Sequence, residues 1–213
     1  LEDNSLKVDL HIHTIYSGHS LLRISHIVKV ARKRGLDAVA ITDHNEIRGA
    51  LELSKEFPII LGEEVSSDQG DIIGLFLNEK IERAPALEVM DRIREQGGLV
   101  LIPHPFDTLR GESLKSEDLS RMGDIIEVFN SRVVRPRDNE RAKKFAESNE
   151  LPQSVGSDAH TSIEIGRAWM ELESIDDPRS FLKALSNTKT HERRSPLIVH
   201  AQTKLLKLRE VFR

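Results

Sequence analysis

The chain has 213 residues, 38% of them hydrophobic and 31% charged, a balance that fits one ample globular domain over 1–213 and excludes a disordered chain. It contains no cysteine, which excludes disulfides and thiolate metal sites and leaves nitrogen and oxygen as ligands. The net charge of −4 weighs against broad nucleic-acid binding. No apolar run reaches the ~18 residues of a membrane span, and the opening Leu1-Glu2-Asp3-Asn4 has no apolar signal core, so a cytoplasmic enzyme or binding domain is expected.

In Val8-Asp9-Leu10-His11-Ile12-His13, apolar and polar residues alternate with the period of a β-strand. Residues two apart on a strand share a face, so His11 and His13 present their rings side by side. Two neutral imidazoles on a rigid strand form a good half of a metal site. A polar loop over 14–20 carries His19. Residues 24–34 have helical spacing with Gly35 as the cap, and His26 inside them reads as a surface or packing residue. Ala38-Val39-Ala40-Ile41 is a continuous apolar run, as expected for a strand buried on both faces of a parallel sheet. It ends in Thr42-Asp43-His44-Asn45.

A helix over 47–57 leads to a third apolar strand, 58–61, which runs into Gly62-Glu63-Glu64-Val65. Residues 65–77 read as a hairpin turning at Asp68-Gln69-Gly70, with Asp71 opening the return strand. Pro85 and Gly97-Gly98 bracket the next helix. The strand 99–102 ends in Pro103-His104-Pro105, and an excursion over 106–122 carries Arg110 and a short helix from Ser116. The strand 124–129 closes on Asn130-Ser131-Arg132. A helix over 136–149 and a short strand over 152–155 follow, opening onto Gly156-Ser157-Asp158-Ala159-His160. Residues 168–172 read as the last long strand and 178–186 as the last crossover helix. An amphipathic helix over 197–212, with Leu205, Leu206 and Leu208 apolar against Lys204, Lys207 and Arg209, is expected to pack on the barrel wall or close its bottom.

Strand and helix alternate, and the strands end in His or Glu, which is the grammar of a parallel α/β fold with its site at the C-terminal strand ends. Six of the nine histidines, at 11, 13, 19, 44, 104 and 160, fall at such ends, together with Glu64 and Asp158. This exceeds the ligand set of one tetrahedral ion. Two or three divalent ions of Zn, Mn or Fe type are the natural inference.

The ordered set Asp9-Leu10-His11-Ile12-His13, Thr42-Asp43-His44, Gly62-Glu63-Glu64, Pro103-His104-Pro105 and Gly156-Ser157-Asp158-Ala159-His160 resembles the PHP (polymerase and histidinol phosphatase) family of metal-dependent phosphoesterases. The resemblance implies a distorted TIM-like (βα)7 barrel. It implies that His11, His13, Glu64 and Asp158 hold one metal, that Glu64 bridges to a second held by His104, and that His19, His44 and His160 form a third set. Many members have His where Asp71 stands. Asp71 is either an oxygen ligand or an exposed turn carboxylate. Asp43 is expected to orient a ligand imidazole. Arg110, Asn130 and Arg132, on loops after barrel strands, could hold a phosphate, arginine through bidentate bonds, or could be solvated loop residues.

The favoured activity is hydrolysis of phosphomonoesters or phosphodiesters by a metal-activated water, with His44 or His160 protonating the leaving group where not firmly metal-bound. The substrate is a small phosphoester, a nucleotide or a nucleic-acid end. Two alternatives remain: C–N hydrolysis as in amidohydrolases, and a metal-stabilised, non-catalytic module of a larger nucleic-acid complex.

Overall fold

The computed structural model describes residues 5–186 and 188–211, with backbone alone at Lys204 and from residue 206 on. Nine strands form one sheet in the order β7-β6-β5-β4-β3-β2-β1-β8-β9. They are β1 Leu6–Ile12, β2 Ala38–Ile41, β3 Ile59–Ser66, β4 Asp71–Leu75, β5 Leu99–Ile102, β6 Ile125–Asn130, β7 Gln153–Gly156, β8 Ala168–Leu172 and β9 Lys189–Glu192. The sheet curls until β1 meets the chain leaving β7: Ile12 bridges Ala159, and His13 N donates to Ala159 O at 2.9 Å. The result is the expected distorted barrel. The pairs β1–β2, β2–β3, β5–β6 and β6–β7 are parallel, whereas β4 runs against both β3 and β5.

Helices α1 Ile24–Lys33, α2 Arg48–Leu53, α3 Ala86–Glu95 and α5 Pro136–Ser148 present apolar faces, including Ile27, Leu53, Val89 and Phe145, to one continuous core. The short α4 Glu117–Ser120 starts at Ser116, whose side chain caps Leu119 N. All four residues of β2 and of β5 are buried, as a strand covered on both faces requires. β3 extends beyond its expected end because Gly62 to Ser66 pair with the returning strand from Leu75 to Asp71.

Three expectations for the C-terminal part change. Helix α6 Pro178–Leu185 is not a crossover between parallel strands, since it joins the antiparallel β8 and β9. Its buried Phe181 meets Phe76 edge-on at 5.3 Å, below the start of the barrel. β9 was not anticipated: its four residues are all exposed and offer no apolar pattern. Helix α7 Ile198–Val211 begins over the C-terminal face of the barrel rather than on its wall or bottom, because Ser195 N bonds Ser131 O at 2.7 Å and steers the chain there. The side chains of Lys204, Leu206, Lys207, Leu208 and Arg209 in its expected amphipathic pattern, and the whole of Phe212, lie outside what the structure describes. No helix among the described residues is long and apolar enough to cross a membrane.

Candidate metal centre

The strand period places His11 and His13 on one face at the end of β1, with ring centroids 5.0 Å apart. Their Nε2 atoms approach to 3.0 Å. Glu64 Oε2 lies 3.6 Å from His11 Nε2 and 3.3 Å from His13 Nε2, and Asp158 Oδ1 lies 3.7 and 3.3 Å from the same atoms. An ion with four ligands at about 2.0–2.1 Å needs neighbouring donors about 3.3 Å apart, so these atoms have tetrahedral spacing. Both Glu64 Oε2 and Asp158 Oδ1 are buried without any hydrogen-bond partner. Two buried, unpartnered carboxylate oxygens facing two imidazole nitrogens form a donor set that fits a divalent cation.

The other candidates surround this group. Glu64 Oε1 faces His104 Nε2 at 3.1 Å while its Oε2 faces His44 Nδ1 at 3.3 Å, so one carboxylate reaches both sides of the centre. His44, Glu64 and Asp71 form one triad of donors within 4.8 Å, and His13, His44 and His160 form another. His19 stacks on His44 and His160 with centroids 5.1 and 4.8 Å away. Asp71 is buried, not an exposed turn carboxylate. Burial, with the Glu64 charge beside it, pushes its carboxyl upward, a crowding that a cation relieves. Burial and neighbouring imidazoles hold His44 well below its usual range; burial, His13 and Arg132 do the same to His160. Both rings are thus neutral and able to ligate.

Hydrogen bonds behind the rings set their tautomers. His11 Nδ1 lies 2.9 Å from Glu127 Oε1, and His160 Nδ1 lies 2.9 Å from the carbonyl of Asp158. Each acceptor takes the Nδ1 proton and leaves the Nε2 lone pair free. Asp43 does not touch an imidazole. It accepts from Ser17 Oγ at 2.6 Å, and Ser17 Oγ in turn faces His13 Nδ1 at 3.1 Å, so its orienting action passes through a hydroxyl. Thr14 holds Asp43 from the other side through its N–H and hydroxyl.

Glu63 and Glu64 separate as neighbours on a strand must: Glu63 Oε2 accepts from Ile81 N at 2.8 Å, away from the imidazoles. His104 and Asp158 both adopt positive φ, 32° and 51°, a sparsely populated conformation that tends to occur at functional sites. Gly156 is required beneath them, because a Cβ there would run into Glu127 Oε1 and into His11 Cβ.

A cavity of about 840 Å³ opens above the centre, with His19, His44, Asp71 and His160 in its lining. Arg110 and Arg132 line it as well. Arg110 Nη2 donates to Asp158 Oδ2 at 2.8 Å, and against burial its charge helps hold Asp158 well below the usual carboxyl range. Asn130 does not reach the cavity. It is fully buried, donating to Glu127 Oε2 and Asp158 Oδ2, so it braces these two carboxylates from inside the barrel.

The sequence reading missed Glu127, Ser17, Arg83 and the two α7 residues His200 and Thr203, of which all but Glu127 also line the cavity. A glutamate inside the apolar run Ile125-Ile126-Glu127-Val128 was a usable signal, since a carboxylate is seldom fully buried without a partner.

A family model for the PHP domain matches residues 9–91, and one described as PHP-associated matches residues 136–190. The uncharacterized protein MJ0417 of Methanocaldococcus jannaschii is 37% identical over 216 residues, covering 95% of this chain and 86% of that protein. A "Probable phosphatase" of Thermoanaerobacter is 26% identical over 209 residues, covering 80% of this chain and 85% of its own length. Among solved structures, a two-domain protein of Bacteroides vulgatus containing a "predicted PHP-like metal-dependent phosphoesterase" superposes with a TM-score of 0.72 at 19% identity. That match covers 89% of this chain and 65% of the other.

Proposed function

This chain belongs to the PHP family, and on that premise we propose that it is a phosphoesterase working with two or three divalent ions on phosphomonoesters or phosphodiesters. The observation that carries the reading is the pair of buried, unpartnered oxygens, Glu64 Oε2 and Asp158 Oδ1, turned toward His11 and His13. In this reading His11, His13, Glu64 and Asp158 hold one ion. Glu64 and His104 hold a second, and His19, His44 and His160 a third, with Asp71 placed beside His44 and Glu64.

Bound there, such ions lower the pKa of water toward ~7 and offset the charge of a phosphoryl group. The chain supplies the rest. Arg110 and Arg132 extend guanidinium groups along the cavity, where they bind and orient phosphoryl oxygens. His160, whose Nδ1 proton is committed to the Asp158 carbonyl, offers Nε2 as its exchangeable atom. Where it is not ligating, the Nε2 lone pair accepts the proton released by the attacking water, and the imidazolium so formed can pass it on to the leaving oxygen; His44, also neutral, can act in the same way. The cavity volume suits a nucleotide-sized ester.

Metal-reconstituted protein assayed against phosphomonoesters, phosphodiesters and amides tests the proposal. Phosphoester turnover, with at least two metal equivalents by elemental analysis, is expected. Turnover of amides alone, or of nothing, overturns it.

A further inference from the structure

The last helix touches the site through a chain of buried polar groups that runs behind Arg132 and His160. Thr203 of α7 is buried, and its Oγ1 accepts from Arg132 Nη2 at 2.8 Å. The same hydroxyl donates to Val199 O, one turn back, at 3.1 Å, so it is held as an acceptor toward Arg132. The other nitrogen of that guanidinium, Nη1, faces Glu164 Oε1 at 3.5 Å. Glu164 Oε2 accepts from the backbone N–H of His160 at 3.1 Å and from Thr161 Oγ1 at 2.9 Å. Thr203, Arg132, Glu164 and His160 are all buried. One guanidinium therefore ties α7 to the turn that carries Asp158 and His160.

Arg132 Nη1 and Glu164 Oε1 are both without a hydrogen-bond partner. A buried ion pair missing hydrogen bonds on both sides is costly to keep. Its position depends on what holds the guanidinium from behind, and Thr203 supplies that bond. His200, on the same helix, lines the cavity beside Arg132 and His160. The N-terminal half of α7 is thus a wall of the active centre and not a terminal appendage.

We propose that α7 positions the metal-binding turn, with Thr203 acting through Arg132 and Glu164 to fix the placement of His160 and Asp158. The inference rests on the metal-centre reading above, and its test does not require hydrolysis. In the full-length protein, Thr203→Val keeps the side-chain shape but removes the acceptor, whereas Thr203→Ser keeps the hydroxyl. Manganese is titrated calorimetrically into each metal-free protein, and thermal unfolding checks that each is folded.

Thr203→Val is expected to weaken manganese binding about tenfold, the low end of the range for groups that support ligands from behind. Thr203→Ser is expected to restore wild-type affinity. Equal affinity in Thr203→Val and wild type overturns the proposal, because valine would pack equally well in a purely structural role. So does an equal loss in both variants, which would make shape rather than the hydroxyl the cause. If wild type takes up no manganese, both readings fall. If it binds manganese in the expected order but cleaves no phosphoester, only the hydrolase reading falls.

Discussion

Glu127 grips two parts of the centre at once: its Oε1 lies 2.9 Å from His11 Nδ1, and its Oε2 accepts the backbone N–H of His104 at 2.7 Å. A carboxylate can accept at both oxygens, but an amide presents one oxygen and one NH2. In Glu127→Gln one of the two donors therefore meets another donor. Metal affinity is expected to fall about 10–100-fold, measured by titrating the metal-free protein. Unchanged affinity would mean that the bond does not orient His11.

Glu64→Gln removes the negative charge shared by His11, His13, His44 and His104 while keeping the side-chain shape. Elemental analysis should show lost metal, and kcat/KM should fall by more than the ~10–100-fold typical of groups that only orient a ligand. Glu63→Gln, whose partner is the Ile81 amide, should stay within that range or below it. A larger loss for Glu63 than for Glu64 would reverse the assignment.

Gly156→Ala tests the close approach under the centre. The added methyl meets the Glu127 carboxylate and the His11 Cβ, neither free to yield. Overpacking of this kind costs about 1–3 kcal/mol, so a lower melting temperature and weaker metal binding should appear together. A variant as stable as wild type, with unchanged metal binding, would show that the contact relaxes harmlessly.

Asp177 gives a pH dependence far from the metals. It caps α6, accepting from Ser180 Oγ at 2.6 Å and from the backbone N–H groups of Arg179 and Ser180. The Ser180 hydroxyl first, and then these amides, lower its pKa from the ordinary 3.8. The fold thus favours the ionised form. Its stabilisation is complete above 3.8 and is lost as pH falls through the lower folded value. Asp177→Ala should melt lower than wild type at about pH 7, with the gap closing by about pH 2. A gap that is constant with pH would mean that the carboxylate charge is not what caps the helix.

What the sequence made legible follows from where periodicity and chemistry coincide. His11 and His13 were readable because a strand puts alternate residues on one face, and the strand-end histidines because parallel α/β folds gather their strand ends. Glu64 was separated from Glu63 by the family resemblance, with strand alternation requiring that only one of them face the centre. Ser17 and Thr203 left no trace, since a hydroxyl bonding one imidazole or one guanidinium has no spacing rule. The position of α7 was equally hidden: amphipathic spacing tells which face of a helix is buried, not which end of a barrel it covers. β9, exposed along its whole length, lacks even that.

The meeting of Ile12 with Ala159 has a mechanical consequence. The sheet curls until the chain leaving β7 meets β1, with β8 and β9 running on beyond that seam, and His11 and His13 stand on one side of it while Asp158 and His160 stand on the other. An ion held as proposed, by His11 and His13 on one side and Asp158 on the other, would work as a clasp. Chelation should then do more than silence a reaction: it should let the ring spring open along one line. Amide-hydrogen exchange should quicken first in residues 11–14 and 156–160, with the far staves β3 and β4 following later. The binding free energy of an ion held across the seam would in this sense also be closing energy for the barrel.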